Sequence, residues 1–107
     1  MAKGDKFDEE KTRWDCIPWS EIEGIAKVMT YGAKKYNEDP DDPNWIKVKK
    51  GKHRYFAAMM RHFMLDLNGE VIDPDSGLSH LDHFKFNALA YARFKRLENE
   101  GNGDSKV

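Results

Sequence analysis

A chain of 107 residues can bury one small core, and a second domain within it would have too little interior to be stable. Its 18 Lys and Arg against 19 Asp and Glu leave a formal net charge of -1, which excludes a whole-molecule field that would draw it onto nucleic acid or an anionic membrane. One cysteine, Cys16, excludes an intrachain disulfide and fits a reducing compartment, while short apolar runs and a charged start without a signal-peptide core predict a cytoplasmic protein that does not span a membrane.

Residues 1–12 are charged, with Phe7 their main apolar side chain, and read as a mobile arm. The next stretch, R-W-D-C-I-P-W, sets Trp14, Ile17 and Trp19 around Pro18, a composition that predicts an aromatic anchor across helices with Cys16 packed beside it. The alternative for Arg13 and Trp14 is a ligand contact, a guanidinium for phosphate and an indole for a base.

Ser20 with Glu23 three positions later has capping-box spacing and predicts the start of a first helix. Its buried stripe should be Ile22, Ile25, Ala26, Met29, Ala33 and Tyr36. Lys34, Lys35 and Tyr36 follow Gly32; the two lysines serve either as a solvated face near the helix C-terminus or as cations for phosphates. Prolines at 40 and 43 then force an acidic loop, which Trp45 and Ile46 should pin down. The basic run from Lys47 to Arg54 is a solvated connector or, through Arg54, a phosphate-facing segment.

A second helix is predicted from about residue 52 or 53 to 67, burying Phe56, Met59, Met60, Phe63, Met64 and Leu67, with Asn68 and Gly69 as its stop. Arg61 and His62 flank that stripe, and His62 can either contact Asp66 one turn on or turn toward a following helix. Residues 70–77 make a connecting loop, and a third helix from near 78 to about 98 should pack through Leu81, Phe84, Ala88, Tyr91, Ala92 and the stem of Lys95. The expectation is therefore an all-α protein, a bundle of about three main helices over residues 13–98, dimeric or higher, with a flexible tail over 99–107.

The densest polar chemistry lies between Asp73 and Asn87. On a helix, His80, His83 and Asn87 fall at i, i+3 and i+7 and share one face, with Asp73 and Asp75 in the turn before it. Carboxylate oxygens and imidazole nitrogens together suit a hard or borderline cation, or a polyphosphate carrying one. Asp73, Asp75, His80 and His83 are the candidate metal ligands; caps and packed histidines are the plain alternative.

Several short motifs taken together, K-x-R-W-D-x-x-P-W, G-A-K-K-Y, N-W, R-Y-x-x-A-x-x-R-H and G-E-x-x-D-x-x-S-G-x-x-H-x-x-H-x-x-x-N-A, resemble the N-terminal domain of phage and bacterial dATP/dGTP diphosphohydrolases, over roughly residues 11–92. The resemblance implies an all-α protein associated with MazG-like pyrophosphohydrolases, which use magnesium or manganese to split a nucleoside triphosphate into monophosphate and pyrophosphate. On that reading Glu70, Asp73, His80 and His83 are the catalytic candidates, and Arg13, Trp14, Lys34, Lys35, Tyr36, Arg54, Arg61, His62 and Asn87 bind a purine nucleotide. The two facing acidic helix pairs of MazG-like domains have no counterpart, since Glu21 and Glu23 stand two apart and Glu70 and Asp73 fall in a predicted loop. Two functions stay open: a metal-dependent pyrophosphohydrolase of a bacterial or phage-infected cell, and a non-catalytic nucleotide-binding protein.

Overall fold

The computed structural model describes residues 9–36 and 39–101. Most of the expected arm (residues 1–8) and most of the expected tail (102–107) lie outside the described residues. Three helices carry the fold: α1 (Trp19–Tyr36), α2 (Gly51–Leu67) and α3 (His80–Gly101). Two single 3-10 turns, Trp14–Cys16 and Asn44–Lys47, precede α1 and α2. The chain is all-helical, with two isolated bridges and no strand among the described residues.

The acidic loop, as far as it is described, is tied by its own groups: Asp41 donates its backbone N–H to the Asp39 carboxylate, and Lys47 pairs with Asp42 at 3.0 Å. Trp45 pins the following turn as expected, its ring edge-on to Phe86 at 5.8 Å and beneath Arg93 at 5.4 Å, with its carbonyl accepting from the Tyr55 hydroxyl. Helix α2 begins one or two residues earlier than predicted because Lys50 takes a left-handed conformation, φ 57°, and turns the chain into Gly51. Gly51 sits against the Phe94 ring, which lets α2 and α3 approach closely at that end. Tyr55 stacks on the same ring at 5.8 Å, and Lys52 reaches Glu98 at 2.7 Å, so α2 and α3 form an antiparallel hairpin.

Helix α1 crosses α3 by its own small residue. Gly24 is buried against the Asp82 carboxylate, and Lys85 bonds Glu21 at 2.6 Å beside it. The buried face of α1 is therefore Gly24 and Val28, not the expected stripe: Ile22, Ala26 and Tyr36 are exposed, while Ile25, Met29 and Ala33 are half-buried. Pro18 leads directly into Trp19, so Ser20 lies within the first turn of the helix instead of preceding it.

The apolar stripes of the other two helices are also displaced from the interior. On α2, Phe56, Met60, Met64 and Leu67 are exposed and Met59 and Phe63 half-buried; on α3, Leu81, Ala92 and Lys95 are exposed. Among the described residues Val28 and Ala90 are the only buried apolar side chains, and they lie beside buried His80, His83 and Asn87. The reason is arithmetic: with three helices, each can turn only one side inward, and here that side carries the polar residues. The N-terminal segment does not act as an anchor either. Trp14 is 66% and Trp19 56% exposed, Cys16 is exposed, and Arg13 is closed onto Asp15 by two bonds of 2.7 Å.

Candidate functional site

The loop between α2 and α3 is built to hold one carboxylate. Asn68 ends α2 and Gly69 follows at φ 99°, a left-handed stop that only glycine adopts freely. The chain then pairs briefly with itself, Asp73 N–H to Leu78 carbonyl and His80 N–H to Val71 carbonyl, each at 2.8 Å, and Gly77 at φ 75° makes the return possible. Inside this turn Asp73 accepts from the Ser76 hydroxyl at 2.8 Å and its backbone N–H at 3.2 Å. Ser79 caps α3 by accepting from the Asp82 N–H, so the helix starts at His80, two residues later than predicted.

The one-face prediction for α3 holds: His80, His83 and Asn87 are all buried there, and α2 adds His62 from across the hairpin. His62 does not pair with Asp66; its Nδ1 lies 2.8 Å from Nδ1 of His80, whose Nε2 is 2.7 Å from the Glu70 carboxylate. A carboxylate only accepts, so His80 donates through Nε2; with that single ring proton it accepts at Nδ1, and His62 then donates through its own Nδ1 and keeps a lone pair on Nε2. The same reasoning fixes His83. Ser76 gives its single hydroxyl proton to Asp73, so the 2.7 Å contact to His83 is a donation from His83 Nε2. Asn87 donates to the His83 carbonyl at 2.8 Å.

Burial lowers His62 to about 4, with His83, His80 and Arg61 adding to the effect and Asp73 opposing it. Burial also lowers His83, against the pull of Asp73. For Asp73 burial acts upward, but the Ser76 hydroxyl, His83 and the backbone N–H groups of Asp75 and Ser76 together outweigh it, and the carboxyl lies below its usual value. The result is neutral imidazole beside fixed negative charge.

These groups open onto a cleft of about 680 Å³ between α1 and the α2–α3 hairpin. Of the residues singled out in the sequence, Lys35, Tyr36, Arg54, Arg61, His62, Asp73, Asp75, His83 and Asn87 line it. Arg13, Trp14 and Lys34 do not, and Glu70 and His80 stand behind it, reaching it only through His62. Arg54 and Arg61 form no ion pair with a carboxylate among the described residues, and Lys35 lies over the rings of Tyr31 and Tyr36 at 5.9 and 5.5 Å. Two contributors escaped the sequence reading. Ser76, which joins Asp73 to His83, stands in the S-G pair of the last motif but carried no assigned role; Tyr31, edge-on to His83 at 6.3 Å, had no signal beyond its helical register.

The four expected metal ligands do not converge. Among the described residues no group of three or more His, Cys, Asp or Glu side chains is disposed to hold a metal ion, and both ring nitrogens of His80 are already engaged. Asp73 and Asp75 remain at the cleft wall. Among the described residues no helix is long and apolar enough to cross a membrane.

No curated protein matches the chain, and no solved structure does. A family match does exist and spans nearly its whole length: over residues 1–104 the chain fits the family described as dATP/dGTP diphosphohydrolase, N-terminal, and with its motif order and all-helical fold it belongs to that family.

Proposed function

We propose that the cleft binds a purine nucleoside triphosphate. The observation that carries this reading is the pair of uncompensated guanidiniums, Arg54 and Arg61, on the wall of a cleft that also presents Lys35 and the exposed aromatic ring of Tyr36. Guanidinium forks match phosphate oxygens, and an aromatic ring offers a face to a base. A volume of about 680 Å³ is that of an ordinary small-molecule site, roughly 300–1,000 Å³. The family description, which names dATP and dGTP, supports the choice of a deoxypurine.

Cleavage to monophosphate and pyrophosphate is the second reading, favoured by the Glu70, His80, His62 series. A neutral His62 with its Nε2 at the cleft wall can accept a hydrogen bond from an attacking water and so orient it, and the ring behind it is oriented by Glu70. A resident metal held by protein side chains alone does not fit this arrangement. A magnesium or manganese ion arriving on the triphosphate asks for only one or two carboxylates, and Asp73 and Asp75 are the residues that would meet it; such an ion supplies charge neutralisation of the phosphates.

Titration calorimetry of the full chain with dATP and dGTP, with and without magnesium, tests binding, and pyrophosphate release in the same mixtures tests cleavage. Saturable binding that is lost in Arg54→Ala/Arg61→Ala supports the proposal. Binding that survives the double substitution, or no binding of either nucleotide, overturns it.

A further inference from the structure

We infer that the outer face of the α2–α3 hairpin is the surface through which two copies of this chain pair. On α2, Phe56, Met60, Phe63 and Leu67 recur at i, i+4, i+7 and i+11 and form one stripe. On α3, Leu81, Phe84, Ala88 and Ala92 recur at i, i+3, i+7 and i+11. Ring contacts of Phe63 with Phe84, 5.4 Å, and Phe56 with Tyr91, 5.6 Å, join the two stripes into one continuous surface. It is distinct from the cleft, because Tyr55 and His62 turn the other way, toward Phe86 and His83.

The occupant follows from the area and composition of the face. Phe56, Met60, Met64, Leu67 and Leu81 are 47, 37, 47, 60 and 40% exposed. Together they leave roughly 400–500 Å² of apolar side chain in water, about the apolar share of one partner's ~800 Å² in a standard interface. Neither stripe contains a charged residue. A two-fold axis perpendicular to the helices lays each end of the face on its opposite, so the two apolar stripes cover one another. The partner that fits is a second copy, and the product is a four-helix layer in which the unburied stripes become the core.

Light scattering on the full chain at tens of micromolar reads the mass. Wild type should have twice the chain mass, Met60→Glu should halve it, and Leu65→Glu, on the opposite side of α2, should leave it doubled. Because the monomer formed by Met60→Glu can fail to fold, Met60→Cys in a Cys16→Ser background provides a second readout. Mild oxidation should convert it to a covalent dimer, whereas Leu65→Cys in the same background should stay uncrosslinked. A wild type of single-chain mass, an unchanged mass in Met60→Glu, or crosslinking at Leu65 but not at Met60 overturns the inference.

Discussion

The imidazoles of His62 and His83 lie face to face, ring centroids 4.5 Å apart and 9° from parallel. Two cations cannot comfortably share that spacing, and burial already favours the neutral form of each ring. In the unfolded chain His62 protonates near 6.5; in the folded one it does so near 4. The unfolded state therefore binds more protons between those values, so stability is full above about pH 6.5 and falls as pH drops toward about 4. Asp73, held below its usual value, adds a further loss at lower pH, as its folded state becomes protonated. Urea midpoints from pH 8 to 4 should fall below pH 6.5, and His62→Gln should flatten that part of the curve. A midpoint independent of pH in wild type would contradict the neutral stack.

His80 is the most enclosed polar side chain, 1% exposed, and both its nitrogens are used. Replacing it with Ala removes a packed ring and leaves His62 Nδ1 without its acceptor. The combined cavity and desolvation cost should be about 2–4 kcal/mol. Denaturant unfolding at pH 7.5 measures it. A loss below about 0.5 kcal/mol, typical of surface positions, would show that the ring is not held as described.

Helix number and the shared face of His80, His83 and Asn87 were legible because helical spacing and glycine stops are local signals: Asn68 and Gly69 end α2 where expected, and Gly69 has the positive φ that such a stop requires. Which face turns inward was not legible. The stripe of Phe56, Met60 and Leu67 has a stronger apolar signature than the side carrying Tyr55 and His62, yet it reaches α3 only at its edge, through Phe56 and Tyr91, while Tyr55 and His62 turn onto Phe94 and His80, because packing is decided by the partner helix and not by periodicity alone. Of the nucleotide-binding candidates, Arg54 and Arg61 fall on the cleft, whereas Arg13 is occupied by Asp15, two residues away. Local composition marks a cation; only tertiary structure separates an available one from one already paired.

That distinction can be measured. Arg54→Ala and Arg61→Ala should each weaken triphosphate binding about tenfold or more, a loss of about 1.5–3 kcal/mol for a charge-assisted contact. Lys34→Ala and Arg13→Ala, which alter residues off the cleft, should leave affinity within twofold. Calorimetry or competition with a fluorescent nucleotide resolves the difference. Equal losses at all four positions would point to a general charge effect, which raising the salt concentration would abolish.

Gly51 sets helix propensity against packing. Alanine is worth about 1 kcal/mol over glycine in a helix interior and less at the first position, so propensity alone predicts a modest gain from Gly51→Ala. A Cβ at that position, however, would stand 2.5 Å from the Phe94 ring, closer than carbon atoms can approach. The ring has little room to retreat, because Tyr55 stacks on it at 5.8 Å, so the ends of α2 and α3 must separate. Overpacking of this kind costs about 1–3 kcal/mol and exceeds the propensity term. Gly51→Ala should therefore lower the thermal midpoint, and Gly51→Ala/Phe94→Leu, which opens the space, should recover part of it. A rise in the midpoint for the single substitution would mean that the two helices do not meet at Gly51.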